Sequence, residues 1–339
     1  MVTGDKPVRV AVDAMGGDHA PGEVVAGAVE AAREGNVQVI LVGDLDRVRL
    51  ELAKHDAEGV PVAAFPSEGV VLENEQPALA LRQKPRASIL VATGLVNDGQ
   101  ADAVVTLGST GAAMAAAVVT LGVIEGIERP ALGGPIAGFA PHTMVIDLGT
   151  NVDCRPSQLR SFAVIGNVFA RQFWGIESPR VALLSVGAES GKGNRQVKEA
   201  TELIANSGLN FIGNVEANDL PYDRADVVVC DGFVGNIAMK LTEGLGSATA
   251  DLVKERLNAR LPKAELTALT DEIYNISNIT ETYGGGPIFG VDGVSVVGHG
   301  RGDAESVRRA ISTARRVVEV GFVTTLNDEL AILRDKIGA

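Results

Sequence analysis

The stretch VAVDAMGGDHAP, Val10 to Pro21, runs from apolar residues into an acid and then gathers Asp13, Gly16, Gly17, Asp18 and His19 in one short turn. Carboxylates and an imidazole can hold or move protons, and glycines let backbone N–H groups approach a bound anion. Four more segments carry a similar mixture. They are Gly108-Ser109-Thr110-Gly111, Asp147 to Asp153 with Asn151, Gly187 to Asn194 with Lys192, and Asp231 to Asn236 with Gly235. Such residues suit an oxyanion, and phosphate is a natural occupant. Each segment taken alone also reads as turn and cap chemistry. Asp13, Asp18 and His19 can serve as turn or cap residues, and Asn214 and Asn218 in FIGNVEANDL can satisfy a turn. Lys192 lies among small residues that offer its stem little packing, which favours function; Arg195 adds charge nearby.

These residues need elements that bring them to one place. Each segment follows a β-rich run: VRVAVDAM, ADAVVTL, HTMVIDLG, RVALLSVG and ADVVVCDG. VQVILVG is a further strand. Helical patterns follow most of them, including PGEVVAGAVEAAREG, PSQLRSFAVIGNVFARQFWG and a long segment from Gly235. Alternation of near-continuous apolar strands with helices predicts a three-layer α/β/α fold on a mostly parallel sheet. Ligands of such sheets bind beyond the carboxyl ends of the strands, so the five segments share one edge. A glycine-split region near 284–300 predicts a hairpin or sheet edge, and one final long helix starts near Asp303. Residues 1–339 read as a single catalytic domain, with room for two lobes around a central cleft; no linker marks a boundary.

Composition excludes several classes. The net charge of −13 argues against nucleic acid as a partner. Aromatics at 4% leave few stacking platforms. Cys154 and Cys230 fit neither a disulfide framework nor a zinc pattern, and the 4 histidines show no metal spacing, so no metal is expected. GAESGKGN is one residue short of a phosphate-loop motif, and no dinucleotide fingerprint or nucleophile elbow occurs, so no cofactor is expected. The N-terminal residues lack a signal-peptide core and no segment reads as a membrane span, which predicts a cytoplasmic protein.

VAVDAMGGDHAP, GSTGAAM, IERPAL, IDLGTNVD, GAESGKGN, NFIGNVEANDL, DGFVGNIAMK and YGGGPIFG follow one another in this order. Together they resemble the bacterial phosphate acyltransferases of phospholipid synthesis, nearly end to end. The resemblance implies transfer of a fatty acyl group from acyl carrier protein to inorganic phosphate, with the acyl phosphate handed to a membrane glycerol 3-phosphate acyltransferase. It implies a fold like the phosphotransacetylases and isocitrate/isopropylmalate dehydrogenases, a homodimer, and peripheral membrane contact. Ser109 stands where the family has asparagine, and Ala188 where it has threonine.

On that reading phosphate is itself the nucleophile. Lys192, Asn194, Asn151 and backbone donors near Gly16, Gly17, Gly108, Ser109, Thr110, Gly111, Gly235 and Asn236 hold phosphate or the oxyanion. His19 moves a proton or orients phosphate, with Asp13 or Asp18 fixing its tautomer. Asn214 and Asn218 donate to the carbonyl. An acidic carrier protein needs a basic patch, from Arg82, Lys84 and Arg86 or from Lys254, Arg256, Arg260 and Lys263. Leu261, Leu266, Leu269 and Ile273 suit a lipid or dimer contact. The rival readings are an acyl-coenzyme A phosphotransacetylase and a non-catalytic binding subunit.

Overall fold

The computed structural model describes residues 6–279 and 284–338, with side chains to 334. Tyr283 of the YGGGPIFG segment lies outside the described residues. The chain divides into two compact units, Met1–Glu125 with Tyr283–Asn327, and Gly126–Thr282 with Asp328–Ala339.

In the first unit the strands are β1 (Val8–Asp13), β2 (Val37–Gly43), β3 (Val62–Pro66), β4 (Ala103–Thr106), β10 (Gly286–Phe289) and β11 (Val294–Val297). Their order is β3-β2-β1-β4-β11-β10. All pairs are parallel except β10 with β11, which form the hairpin expected near 284–300. Val10 pairs with Val39 on one side and Ala103 on the other, so the strand is central and apolar on both faces. Helices α3 (Pro77–Gln83), α4 (Ser88–Asn97) and α5 (Thr110–Thr120) pack with Ala11, Val42 and Val104 in one core. Alternation along the strand turns Val10 and Val12 to the opposite face. There α1 (Gly22–Arg33) lies on α10 (Ala304–Glu319), so close that a Cβ on Gly27 would sit 2.2 Å from the Ala304 carbonyl oxygen. The short α2 (Leu45–Leu52) starts at Asp44, whose carboxylate accepts from Asp46 and Arg47 N–H.

In the second unit the strands are β5 (Ala131–Gly134), β6 (Met144–Ile146), β7 (Val181–Leu184), β8 (Phe211–Val215) and β9 (Val227–Val229), in the order β5-β6-β9-β7-β8. Only β5 is antiparallel to its neighbour. Helix α6 (Pro156–Trp174) rests on β9, where a Cβ on Gly166 would meet Val227 at 2.3 Å. Helix α7 (Arg195–Ala205) packs on α6. On another core, Ala238 and Met239 of α8 (Gly232–Leu257) cover Val145, Ala182 and Val228. Helix α9 (Lys263–Ser277) runs along α8, with Ser277 against Gly246.

The fold is thus mostly parallel α/β in three layers, as the sequence predicts. One expectation is corrected. The final helix near Asp303 is two helices, α10 and α11 (Phe322–Gly338), because Gly321 adopts φ +64° and ends the first.

Candidate active site

Two buried aspartates organise two of the loops that carry the expected site residues. In the first unit β1 ends in Asp13, which is 2% exposed. The Thr106 hydroxyl, at the end of β4, donates to Asp13 Oδ2 at 2.8 Å and accepts from Gly108 N–H at 2.9 Å. Met15 N–H donates to Asp13 Oδ1 at 3.2 Å. Burial pushes the Asp13 carboxyl above its ordinary range, and the Ser88 and Thr106 hydroxyls with the Met15 and Gly16 amides only partly offset this. Gly16 must be glycine, since a Cβ there would lie 2.6 Å from Asp13 Oδ2 and 2.8 Å from Thr106 Oγ1. Gly17 takes φ +108°, and Asp18 N–H then donates to Gly300 O at 2.7 Å. The chain so turned leaves Asp18 and His19 exposed. Among the described residues no hydrogen bond joins His19 to Asp13 or Asp18. Ser109 caps α5 by accepting from Ala112 N–H at 3.4 Å, with Thr110 and Gly111 exposed in the first turn.

In the second unit Asp147 follows β6 and is fully buried. It accepts backbone N–H from Leu132 (3.2 Å), Gly149 (3.2 Å), Thr150 (3.1 Å) and Asn151 (2.7 Å). Asn151 Nδ2 donates to Asp147 Oδ2 and to Pro130 O, both at 2.8 Å, so its amide protons are spent inside the loop. Gly232 N–H donates to Asn151 O at 2.7 Å, which docks the start of α8 on the same loop. Gly235 lies against the Asp147 carbonyl, 1.9 Å from where a Cβ would stand. Its N–H is held by Asp231 O, so the close approach, rather than a free donor, explains this glycine. Asn236 is exposed, beside Gly149.

The Lys192 loop spans β7 and α7. Asn194 caps α7 by accepting from Val197 N–H at 2.9 Å. Asn214, on β8, points its amide nitrogen at the carbonyls of Glu189 and Lys192, each 3.5 Å away, and so braces the loop. Asn218 is exposed in a 3-10 helix, Ala217–Tyr222. Lys192 is exposed and in no ion pair among the described residues, whereas Arg195 is bound to Glu199 at 2.7 Å.

A polar cavity of about 610 Å³ adjoins the Asp147 loop, lined by Glu128, Arg129, Thr150, Asn151 and Arg155. Glu128 and Arg129 of the IERPAL segment lie outside the residues that the sequence marks as a site. Both cysteine thiols are poor nucleophiles here. Burial pushes Cys154 up to about 12, and Cys230 well above its ordinary value. Among the described residues no three His, Cys, Asp or Glu side chains converge as a metal site.

The model of a family described as "Fatty acid synthesis protein" matches residues 8–325. The chain is 45% identical over 325 residues to a phosphate acyltransferase of Moorella thermoacetica, covering 95% of each chain. It is 42% identical over 331 residues to one of Desulfitobacterium hafniense, covering 95% of this chain and 98% of that one. In fold it is similar to a phosphotransacetylase from Streptococcus pyogenes, with TM-score 0.62, 20% identity and coverage of 94% and 96%. A phosphotransacetylase from Staphylococcus aureus gives TM-score 0.60 at 18% identity, with coverage of 91% and 94%. With such identity sustained along nearly its whole length, the chain belongs to the fatty acid synthesis protein family.

Proposed function

We propose that the chain moves a fatty acyl group from acyl carrier protein to inorganic phosphate, and that the acyl phosphate then serves a membrane enzyme that acylates glycerol 3-phosphate. The observation that carries this reading is the 45% identity, over 95% of the chain, to a protein named for acyl transfer to phosphate. The chemistry needs no protein nucleophile. A phosphate oxygen attacks the thioester carbonyl, the C–S bond breaks, and the carrier thiolate leaves and takes up a proton. Two thiols held protonated by burial support direct attack. Lys192, exposed and unpaired in a glycine-rich loop, meets phosphate or the tetrahedral oxyanion. His19, exposed after the Asp13 turn, supplies or takes the proton through water or substrate.

The carrier protein docks on basic side chains. Lys84 is bound to Glu75 at 2.6 Å and to Val70 O, and Arg86 to Glu68 at 3.2 Å, which leaves Arg82, and Lys254, Arg256, Arg260 and Lys263 around the α8–α9 connection, as the better candidates. Phe233, Ile237, Leu241 and Leu245 form an exposed stripe at four-residue spacing on α8, which supports a homodimer. Leu266 is buried and Leu261, Leu269 and Ile273 are half-buried, so α9 has less apolar surface for lipid than its sequence suggests. Among the described residues no helix is long and apolar enough to cross a membrane.

The test is thiol release from palmitoyl-carrier protein and palmitoyl-coenzyme A in parallel, with and without phosphate. Release from the carrier protein alone supports the proposal; release from the coenzyme A ester alone overturns the donor. Lys192→Ala should lower kcat/KM for phosphate by about 100-fold. Near-normal turnover at limiting phosphate would remove Lys192 from the mechanism.

A further inference from the structure

A second cavity, of about 220 Å³, adjoins the Lys192 loop in the second unit. Its walls are mainly apolar, among them Leu159, Leu183, Val197, Val229, Val234 and Cys230, with Asp231 and Gln196 as polar members. All of these apolar members but Val234 are buried, and Cys230, kept neutral by that burial, adds no charge. Gly193 and Asn194, the residues that follow Lys192, also line it, so the apolar space opens onto the loop proposed to hold phosphate. Ser185 lines it too. The Ser185 hydroxyl is buried with no hydrogen-bond partner among the described residues, and it lies 3.1 Å from where a Cβ on Gly193 would stand.

The pocket is open on the Val234 side, and its mainly apolar walls hold water poorly. The matching occupant is hydrocarbon, with a polar group at the loop end. We propose that this cavity receives the first methylenes of the fatty acyl chain, and that the Ser185 hydroxyl donates to the carbonyl oxygen at its end. The assignment rests on the acyl-transfer reading. A methylene fills about the space of a water molecule, roughly 30 Å³, so the cavity holds on the order of seven. Each buried methylene contributes about 0.8 kcal/mol, close to a four-fold gain in kcat/KM. Turnover should therefore climb steeply from acetyl to octanoyl donors and level off beyond.

The experiment compares acetyl-, butyryl-, octanoyl- and palmitoyl-carrier protein as donors to wild type and to Val234→Phe. Decanoate binding to both is measured by calorimetry. Val234 is 39% exposed, so a larger side chain there enters the cavity from its open side. The expected result is a loss of about ten-fold on octanoyl and palmitoyl donors, an unchanged rate on the acetyl donor, and decanoate binding weakened about ten-fold. A second variant, Val197→Ala, widens the cavity and should move the plateau to a longer chain. Equal loss on all donors, or decanoate binding indifferent to Val234→Phe, overturns the assignment. If wild type turns over no donor while decanoate binding still depends on Val234, the acyl-transfer reading falls and the cavity stands.

Discussion

Asp13 in the first unit and Asp147 in the second occupy matching places, each buried where a strand gives way to a polar loop. Their surroundings differ. Asp147 is met by four backbone N–H groups and the Asn151 amide, so its charge is surrounded by donors that the loop itself supplies. Asp13 is met by the Thr106 hydroxyl and the Met15 amide at 3.2 Å, with the Ser88 hydroxyl and the Gly16 amide also favouring its charged form, and burial still raises its proton affinity. A carboxylate encircled by donors fixes a loop outright. One held by fewer donors fixes its loop less firmly.

The largest expected effect is therefore at Asp147. Asp147→Ala leaves buried N–H groups without an acceptor and should destabilise the protein by about 4 kcal/mol or more, read from urea unfolding. A loss below that of Asp13→Ala would reverse the comparison. Glycine substitutions come next. Gly235→Ala forces a Cβ onto the rigid Asp147 carbonyl and should cost about 3 kcal/mol. Gly16→Ala meets the Asp13 and Thr106 side chains, which can shift, and should cost about 1–2 kcal/mol. Equal midpoints for the two variants would show that the two loops yield alike.

The smallest effect is a slope. The unfolded Asp13 carboxyl ionises at about pH 4, and the native one at a higher pH. Between those values the native state binds more protons, so stability falls as pH rises, and the loss is constant above the raised value. Asp13→Asn abolishes this term. The variant should gain on wild type from pH 4 toward neutrality, and parallel stability curves would place the Asp13 carboxyl in its ordinary range.

Much of this was legible in the residues themselves. VRVAVD and VALL read as strands because branched apolar residues fill both faces of a covered sheet. VAAFP, ALGG and FIGNV did not, because proline, glycine or a polar residue interrupts each short run. The site's residue types were also legible, but their partners were not. Thr106 meets Asp13 across 93 residues of sequence, and only the pairing of β1 with β4 brings them together. For the same reason Asn151, expected to bind substrate, gives its amide protons to Asp147 and Pro130, and Asn194 uses its oxygen as a helix cap. The exposed polar groups, His19, Asp18, Asn236 and Lys192, are those that local sequence describes best.

The central claim is that acyl transfer passes directly to phosphate, with no acyl-enzyme. The most direct measurement follows thiol appearance from palmitoyl-carrier protein at high enzyme concentration as phosphate is titrated to zero. The account predicts release that scales with phosphate and vanishes without it, in wild type and in Cys154→Ser alike. A phosphate-independent burst of thiol equal to the enzyme present would contradict it.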